Sequence, residues 1–111
     1  MNIIGGEKRG SKLALCASKA VRPTAQRTRE ALFNILQGGR FSFSLNKTTV
    51  IDLFAGTGAI GLEALSRGAR SCVFVEQDQD ALQTLQANLH KLKLEDRAHI
   101  LAKDARQIHS W

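Results

Sequence analysis

The stretch Val50-Ile51-Asp52-Leu53-Phe54-Ala55-Gly56-Thr57-Gly58-Ala59-Ile60-Gly61 decides how this 111-residue chain folds. An apolar run enters a turn with glycines at 56, 58 and 61, the G-x-G-x-x-G spacing, and passes into helical periodicity at Ile60, Leu62 and Leu65 before Gly68. The near-continuous apolar Val50-Ile51 pair predicts a strand over Thr49 to Leu53, covered on both faces as parallel strands are. Downstream the pattern repeats. A second strand is expected from Cys72 to Val75. A long helix follows, capped by Asp78 or Asp80, with Leu82, Leu85, Leu89 and Leu92 on one stripe. A third strand is expected from Ala98 to Leu101. This alternation predicts an α/β domain with a parallel sheet.

Glycine spacing alone does not choose a ligand, because it also marks nicotinamide and flavin sites where a helix N-terminus receives a pyrophosphate. The flanking acids do choose. Asp52, at the carboxyl end of the first strand, would repel dinucleotide phosphates but suits the ammonium and sulfonium of S-adenosylmethionine. Glu76 ends the second strand twenty positions after Gly56 and can accept hydrogen bonds from both ribose hydroxyls, a role that either cofactor would use. After the third strand, Asp104 can accept from the exocyclic amine of adenine, with the N–H of Ala105 available to the ring. Taken singly, each acid could be a helix cap or a solvated loop charge. Together they end three successive strands, the edge at which open α/β sheets bind ligands.

Upstream, residues 1–47 form a different region. They hold nine Lys/Arg against Glu7 and Glu30, a net charge of +7, whereas residues 48–111 hold seven against eight, a net of −1. That asymmetry predicts a basic face for a polyanion, with surface lysines for solubility as the plainer alternative. Residues 1–23 read as a small β-rich arm through Ile3-Ile4, Gly5-Gly6 and Lys12-Leu13-Ala14-Leu15. Thr24, after Arg22-Pro23, is placed to cap a helix ended by Gly38-Gly39. In that helix Thr28, Leu32, Ile35 and Leu36 share a face, so Arg27, Arg29 and Glu30 are expected toward solvent or a ligand. The alternation Phe41, Phe43, Leu45 leaves a short strand open in the connecting loop. Cys16 and Cys72 lack metal-site spacing and read as packing residues; His90, His99 and His109 read as surface or packing residues rather than bases. With 43% hydrophobic and 23% charged residues, the chain has globular composition. It contains neither an apolar run of membrane length nor a secretory leader, so a cytoplasmic location is expected.

These residues together resemble the bacterial small-subunit (16S) ribosomal RNA guanine-N2 methyltransferases. The resemblance rests on Asp52-Leu53-Phe54-Ala55-Gly56-Thr57-Gly58 and on Gly61-Leu62-Glu63-Ala64-Leu65-Ser66-Arg67-Gly68-Ala69. It extends to Ile3-Ile4-Gly5-Gly6, Arg22-Pro23-Thr24, Arg27, Arg29-Glu30 and Leu32-Phe33-Asn34. It implies a Rossmann-like class I methyltransferase fold, present here as an incomplete parallel sheet of the first three strands. A basic N-terminal arm and helix (1–47) would precede an S-adenosylmethionine-binding half (48–111). It also implies donor-binding roles for Asp52, Phe54, Gly56, Thr57, Gly58, Glu76, Asp104 and Ala105. The arm, with Lys8, Arg9, Lys12, Arg22, Arg27 and Arg29, would touch 16S rRNA or the assembling small subunit.

One departure counts. The family's catalytic Asp/Asn-Pro-Pro-aromatic signature follows the fourth strand, and the only proline here is Pro23. No residue of this chain is therefore expected to be catalytic, and the chain is expected to be a truncated piece unable to transfer a methyl group alone. The bare side of the first strand, which a fourth strand would pair, is expected to aggregate, self-associate or be covered by the arm. Two rival readings are a non-catalytic RNA-binding remnant and an NAD-dependent oxidoreductase; the latter must tolerate Asp52 and lacks a substrate domain.

Overall fold

Strands β1 (Thr49–Asp52), β2 (Ser71–Val75) and β3 (Ala98–Leu101) form one parallel sheet in the order β1-β2-β3. Register runs Val50↔Cys72↔Ala98 and Asp52↔Phe74↔Ile100 on one face, and Ile51↔Val73↔His99 on the other. The computed structural model describes residues 2–14, 26–37, 45–53 and 55–107. Helices α1 (Gln26–Gln37), α2 (Ala59–Ser66) and α3 (Gln79–Leu92), with 3₁₀ turns at Glu95–Arg97 and Ala105–Gln107, complete the regular structure there. The expected fold class and all three strands are present, with bounds shifted by at most one residue.

Two glycines of the turn show why the sequence needs them. Gly58 is the N-cap of α2 with φ of +92°, and a Cβ on it would lie 2.4 Å from Leu85 Cδ1. Gly61 lets α2 sit directly on β2: a Cβ there would meet the Phe74 ring at 2.3 Å and Cys72 Sγ at 2.8 Å. The core formed by this approach contains Leu62, Leu65, Cys72, Phe74, Leu85 and Leu89, all buried. Asp78 caps α3 by accepting from the N–H of Ala81 at 2.9 Å, and the stripe Leu82, Leu85, Leu89, Leu92 is buried as expected. Arg97, just before β3, donates to the carbonyls of Leu65 and Ala69 and so closes the C-terminal end of α2.

The opposite face of the sheet departs from expectation. Ile51 is 48% exposed and Leu53 43%, so β1 is covered on one face only. Among the described residues β1 also pairs on one side only, with β2. The described part of the arm does not pair with that edge; it is anchored on α2 and α3. It is a turned-back segment with a single antiparallel bridge, Asn2↔Lys12, and bonds from Ile3 N to Ser11 O and Gly10 N to Ile3 O. Helix α1 is also rotated from its expected setting. Arg29 and Phe33, at i and i+4, are buried at 0% and 2%, while Thr28, Leu32 and Ile35 are exposed. The expected cap at Thr24, the Gly38-Gly39 stop, the alternation at Phe41 and Phe43, and the readings of Cys16 and His109 lie outside the described residues.

Candidate functional site

At the carboxyl ends of β2 and β3, Leu53, Val75, Glu76, Gln77, Lys103, Asp104 and Ala105 line a depression of about 40 Å³. Glu76 holds its place through the backbone. Its Oε1 accepts from the N–H of Gly56 at 2.8 Å, and Oε2 accepts from the N–H groups of Gln77 and Asp78 at 3.0 and 2.9 Å. A carboxylate has about four lone-pair sites, so capacity remains on Oε1 for a ligand hydroxyl. The same contact ties the glycine turn to the end of β2. The turn is further set by Ala55 N donating to Val75 O and Gly58 N donating to Ala55 O.

Asp104 is engaged differently. Both its oxygens accept from the Arg106 guanidinium, at 2.6 to 3.2 Å, and Oδ1 also accepts from the Arg106 N–H at 2.9 Å. These bonds, the guanidinium first and the backbone N–H next, hold its carboxyl below the usual carboxylate range. Asp104 is therefore ionised at neutral pH, and a ligand amine would share or displace Arg106. Ala105 opens the 3₁₀ turn Ala105–Gln107 beside it.

The structure brings Glu76, Asp104 and Ala105 to one depression and joins Gly56 to it through Glu76. Asp52 and Gly58 do not line that depression. Asp52 is half-buried at the end of β1, and its charge adds to burial in pushing the Cys72 thiol up to about 12. Thr57 is buried at 3%, so it shapes the turn and does not face solvent. Phe54 and Arg22 lie outside the described residues.

The basic residues divide. Arg9, Lys12 and Arg27 are exposed and Lys8 is half-buried, all accessible to a polyanion. Arg29 is not: it is fully buried, with Nε 3.3 Å from Glu63 Oε1 and a further bond to Asn2 O. It cannot present its charge to RNA from there. Glu63 is the hub that sequence reading missed. Its carboxylate, itself 0% exposed, also accepts from Ile4 N and Gly5 N at 2.9 Å and from Arg67 Nε at 2.8 Å. Ser66 adds bonds to Gly5 O and from Lys8 N, and the Arg67 guanidinium lies 4.8 Å over the Phe33 ring. The arm motif, α1 and the run after the glycine turn, separate in sequence, thus meet on one buried carboxylate.

A parallel sheet with acids at its strand ends and a glycine turn leading into α2 defines a class I methyltransferase fold. The chain belongs to the family described as Conserved hypothetical protein 95, which matches residues 1–110. Ribosomal RNA small subunit methyltransferase D of Escherichia coli (strain K12) is 44% identical over 93 residues, covering 84% of this chain and 44% of that protein. YlbH of Bacillus subtilis (strain 168) is 39% identical over 115 residues, 99% of this chain and 58% of that one. The solved structure of yhhF from Escherichia coli superposes with a TM-score of 0.80 at 38% identity, over 95% of this chain and 53% of that one. Pyrococcus horikoshii TYW2, solved in complex with MeSAdo, superposes with a TM-score of 0.53 at 31% identity over 56% of this chain and 24% of that one. The chain spans about half the length of the curated relatives it matches.

Proposed function

We propose that this chain is the donor-binding half of an S-adenosylmethionine-dependent methyltransferase of small-subunit 16S ribosomal RNA, acting on guanine N2. The observation that carries the reading is the set Glu76, Asp104 and Ala105 around one depression, with Glu76 tied to the glycine turn. Two acceptor carboxylates suit a nucleoside with ribose hydroxyls and an exocyclic amine. The names of the relatives and the MeSAdo held by the TYW2 structure support the same chemistry. The depression is small beside the roughly 300 Å³ or more of a typical ligand cleft, so the remaining walls belong to other residues.

When bound, the donor supplies a methyl group activated on sulfonium. This chain's share is to bind and orient it: Glu76 for the ribose, Asp104 and Ala105 for the adenine, Asp52 for the cationic end. Holding the target amine is a separate requirement, and the Pro-Pro motif that the resemblance assigns to it does not occur in this sequence. Lys8, Arg9, Lys12 and Arg27 would meet RNA phosphates, in free RNA or an assembling subunit, and binding would weaken with added salt. Among the described residues no helix is long and apolar enough to cross a membrane; a cytoplasmic location would follow from the proposed RNA substrate. The half-exposed face and open edge of β1 would favour self-association.

Calorimetric titration with S-adenosylmethionine and with NAD tests the reading. Saturable binding of the first alone is expected, weakened roughly tenfold or more in Glu76→Ala, from loss of a charge-assisted hydrogen bond of about 1.5–3 kcal/mol. NAD binding alone would overturn it. RNA binding with no donor binding would establish the non-catalytic remnant instead. Because the carboxyl of Asp104 is held low, its pairing is present above about pH 4 and is lost only as pH falls through its lowered value. Asp104 should therefore add no pH dependence to donor affinity between about pH 5 and 8; a fall in affinity on acidification through that range that disappears in Asp104→Asn would mean that Asp104 takes up a proton there and that Arg106 does not hold it low.

A further inference from the structure

Asn88 is the one polar side chain among the buried residues of α3, at 1% exposure among Ala81, Leu82, Leu85, Leu89 and Leu92. Its amide makes three of its four possible hydrogen bonds. Oδ1 accepts from Ala14 N at 2.7 Å, and Nδ2 donates to Ala14 O at 3.3 Å and to Thr57 O at 3.1 Å. One side chain thus grips both backbone polar groups of an arm residue, as a neighbouring strand would, and reaches the inner side of the glycine turn. Thr57 lies between Gly56, whose N–H is held by Glu76, and Gly58, with its φ of +92°. The turn is accordingly held from two directions, by Glu76 at the proposed donor and by Asn88 at the arm. One helical turn on, Lys91 Nζ donates to Lys12 O at 2.8 Å, so the arm is fastened to α3 beside the exposed Lys12 and a few residues from Arg9.

We infer that Asn88 is a positioning residue that couples the donor turn to the basic arm, so that donor binding orders the arm at Ala14 and polyanion binding on the arm tightens the donor turn. This rests on the donor-binding reading above and adds to it a path between two sites. The physical reason is satisfaction of buried groups. If the turn shifts, the Asn88 amide loses Thr57 O and has no solvent to replace it, and the cost is felt at Ala14 through the same amide. Coupling of this kind is reciprocal and is typically 5- to 150-fold between sites.

Amide hydrogen exchange of the chain, with and without saturating S-adenosylmethionine, reads this directly. Donor saturation should slow exchange of the Ala14 N–H about fivefold or more beyond any change at the core amide of Phe74. In Asn88→Leu the donor-dependent part at Ala14 should vanish and donor affinity should fall several-fold, while a purely structural role would raise exchange throughout, with or without donor. Calorimetry on the same samples separates the failures. Absent donor binding overturns the functional reading together with this one, whereas measurable binding that leaves Ala14 exchange unchanged in the parent overturns the coupling alone. Since the parent measurement requires no variant, an Asn88→Leu chain that does not fold leaves the test decisive. Retained donor-dependent protection in a folded Asn88→Leu would remove Asn88 as the link.

Discussion

The two faces of this sheet are in different conditions. On the side of α2 and α3, Cys72 and Phe74 are fully buried and Leu62, Leu65 and Leu85 lie on them. On the other side Ile51 and Leu53 are nearly half exposed, and His99 on β3 is exposed. Parallel strands ordinarily have both faces covered. Among the described residues one layer is complete, including the packing that places the glycine turn. The relatives it matches are about twice as long, and the uncovered face is where further layers of such a fold would lie.

If the complete layer bears the stability, its largest single dependence should be Glu63. Replacing Glu63 with Ala leaves Arg29 buried and uncompensated and frees the N–H groups of Ile4 and Gly5. A loss of about 3–5 kcal/mol is expected, a large part of the roughly 5–15 kcal/mol typical of a domain. Urea unfolding would measure it. A loss under about 1 kcal/mol would mean that the arm and α1 contribute little to the layer.

Next in size is Gly61→Val, which forces a side chain into the Phe74 ring and Cys72 Sγ. Overpacking of this kind costs about 1–3 kcal/mol or more, read as a lower unfolding midpoint at unchanged slope. A neutral effect would show that α2 can slide on β2 and that the layer is less closely fitted than the distances indicate.

The packed layer was legible in the sequence because its signals are local. Leucine periodicity places α3, the apolar run places β1, and an acid at each strand end draws attention to the carboxyl edge, where Glu76 and Asp104 line one depression and Asp52 does not. What was not legible depends on partners distant in sequence. Arg29 looks like any solvent-facing charge on a helix; its burial requires Glu63, 34 positions away, and nothing nearby in sequence signals that pairing. The setting of α1 followed the same fault, since Leu32 and Ile35 make the more apolar stripe while Arg29 and Phe33 are the residues that pack. Asn88 did leave a signal, a polar residue three positions after Leu85 and one before Leu89 on the buried stripe. The clamp of Arg106 on Asp104 is geometry of a short turn, which spacing of two residues does not determine.

The smallest effect on stability is expected on the open face, and it is the most informative about the contrast. Ile51→Thr keeps a β-branched residue in β1 and removes apolar surface that is already half in water, so unfolding should change by no more than about 0.5 kcal/mol. Association should respond in the opposite proportion. If copies meet through this face, light scattering of the parent should show concentration-dependent oligomers, and the variant should shift toward monomer at the same concentration. A parent that stays monomeric, together with a loss above about 1 kcal/mol in Ile51→Thr, would mean that Ile51 is covered within the chain in solution. The contrast between the faces would then be one of degree, and the demand for a further layer on β1 would fall with it.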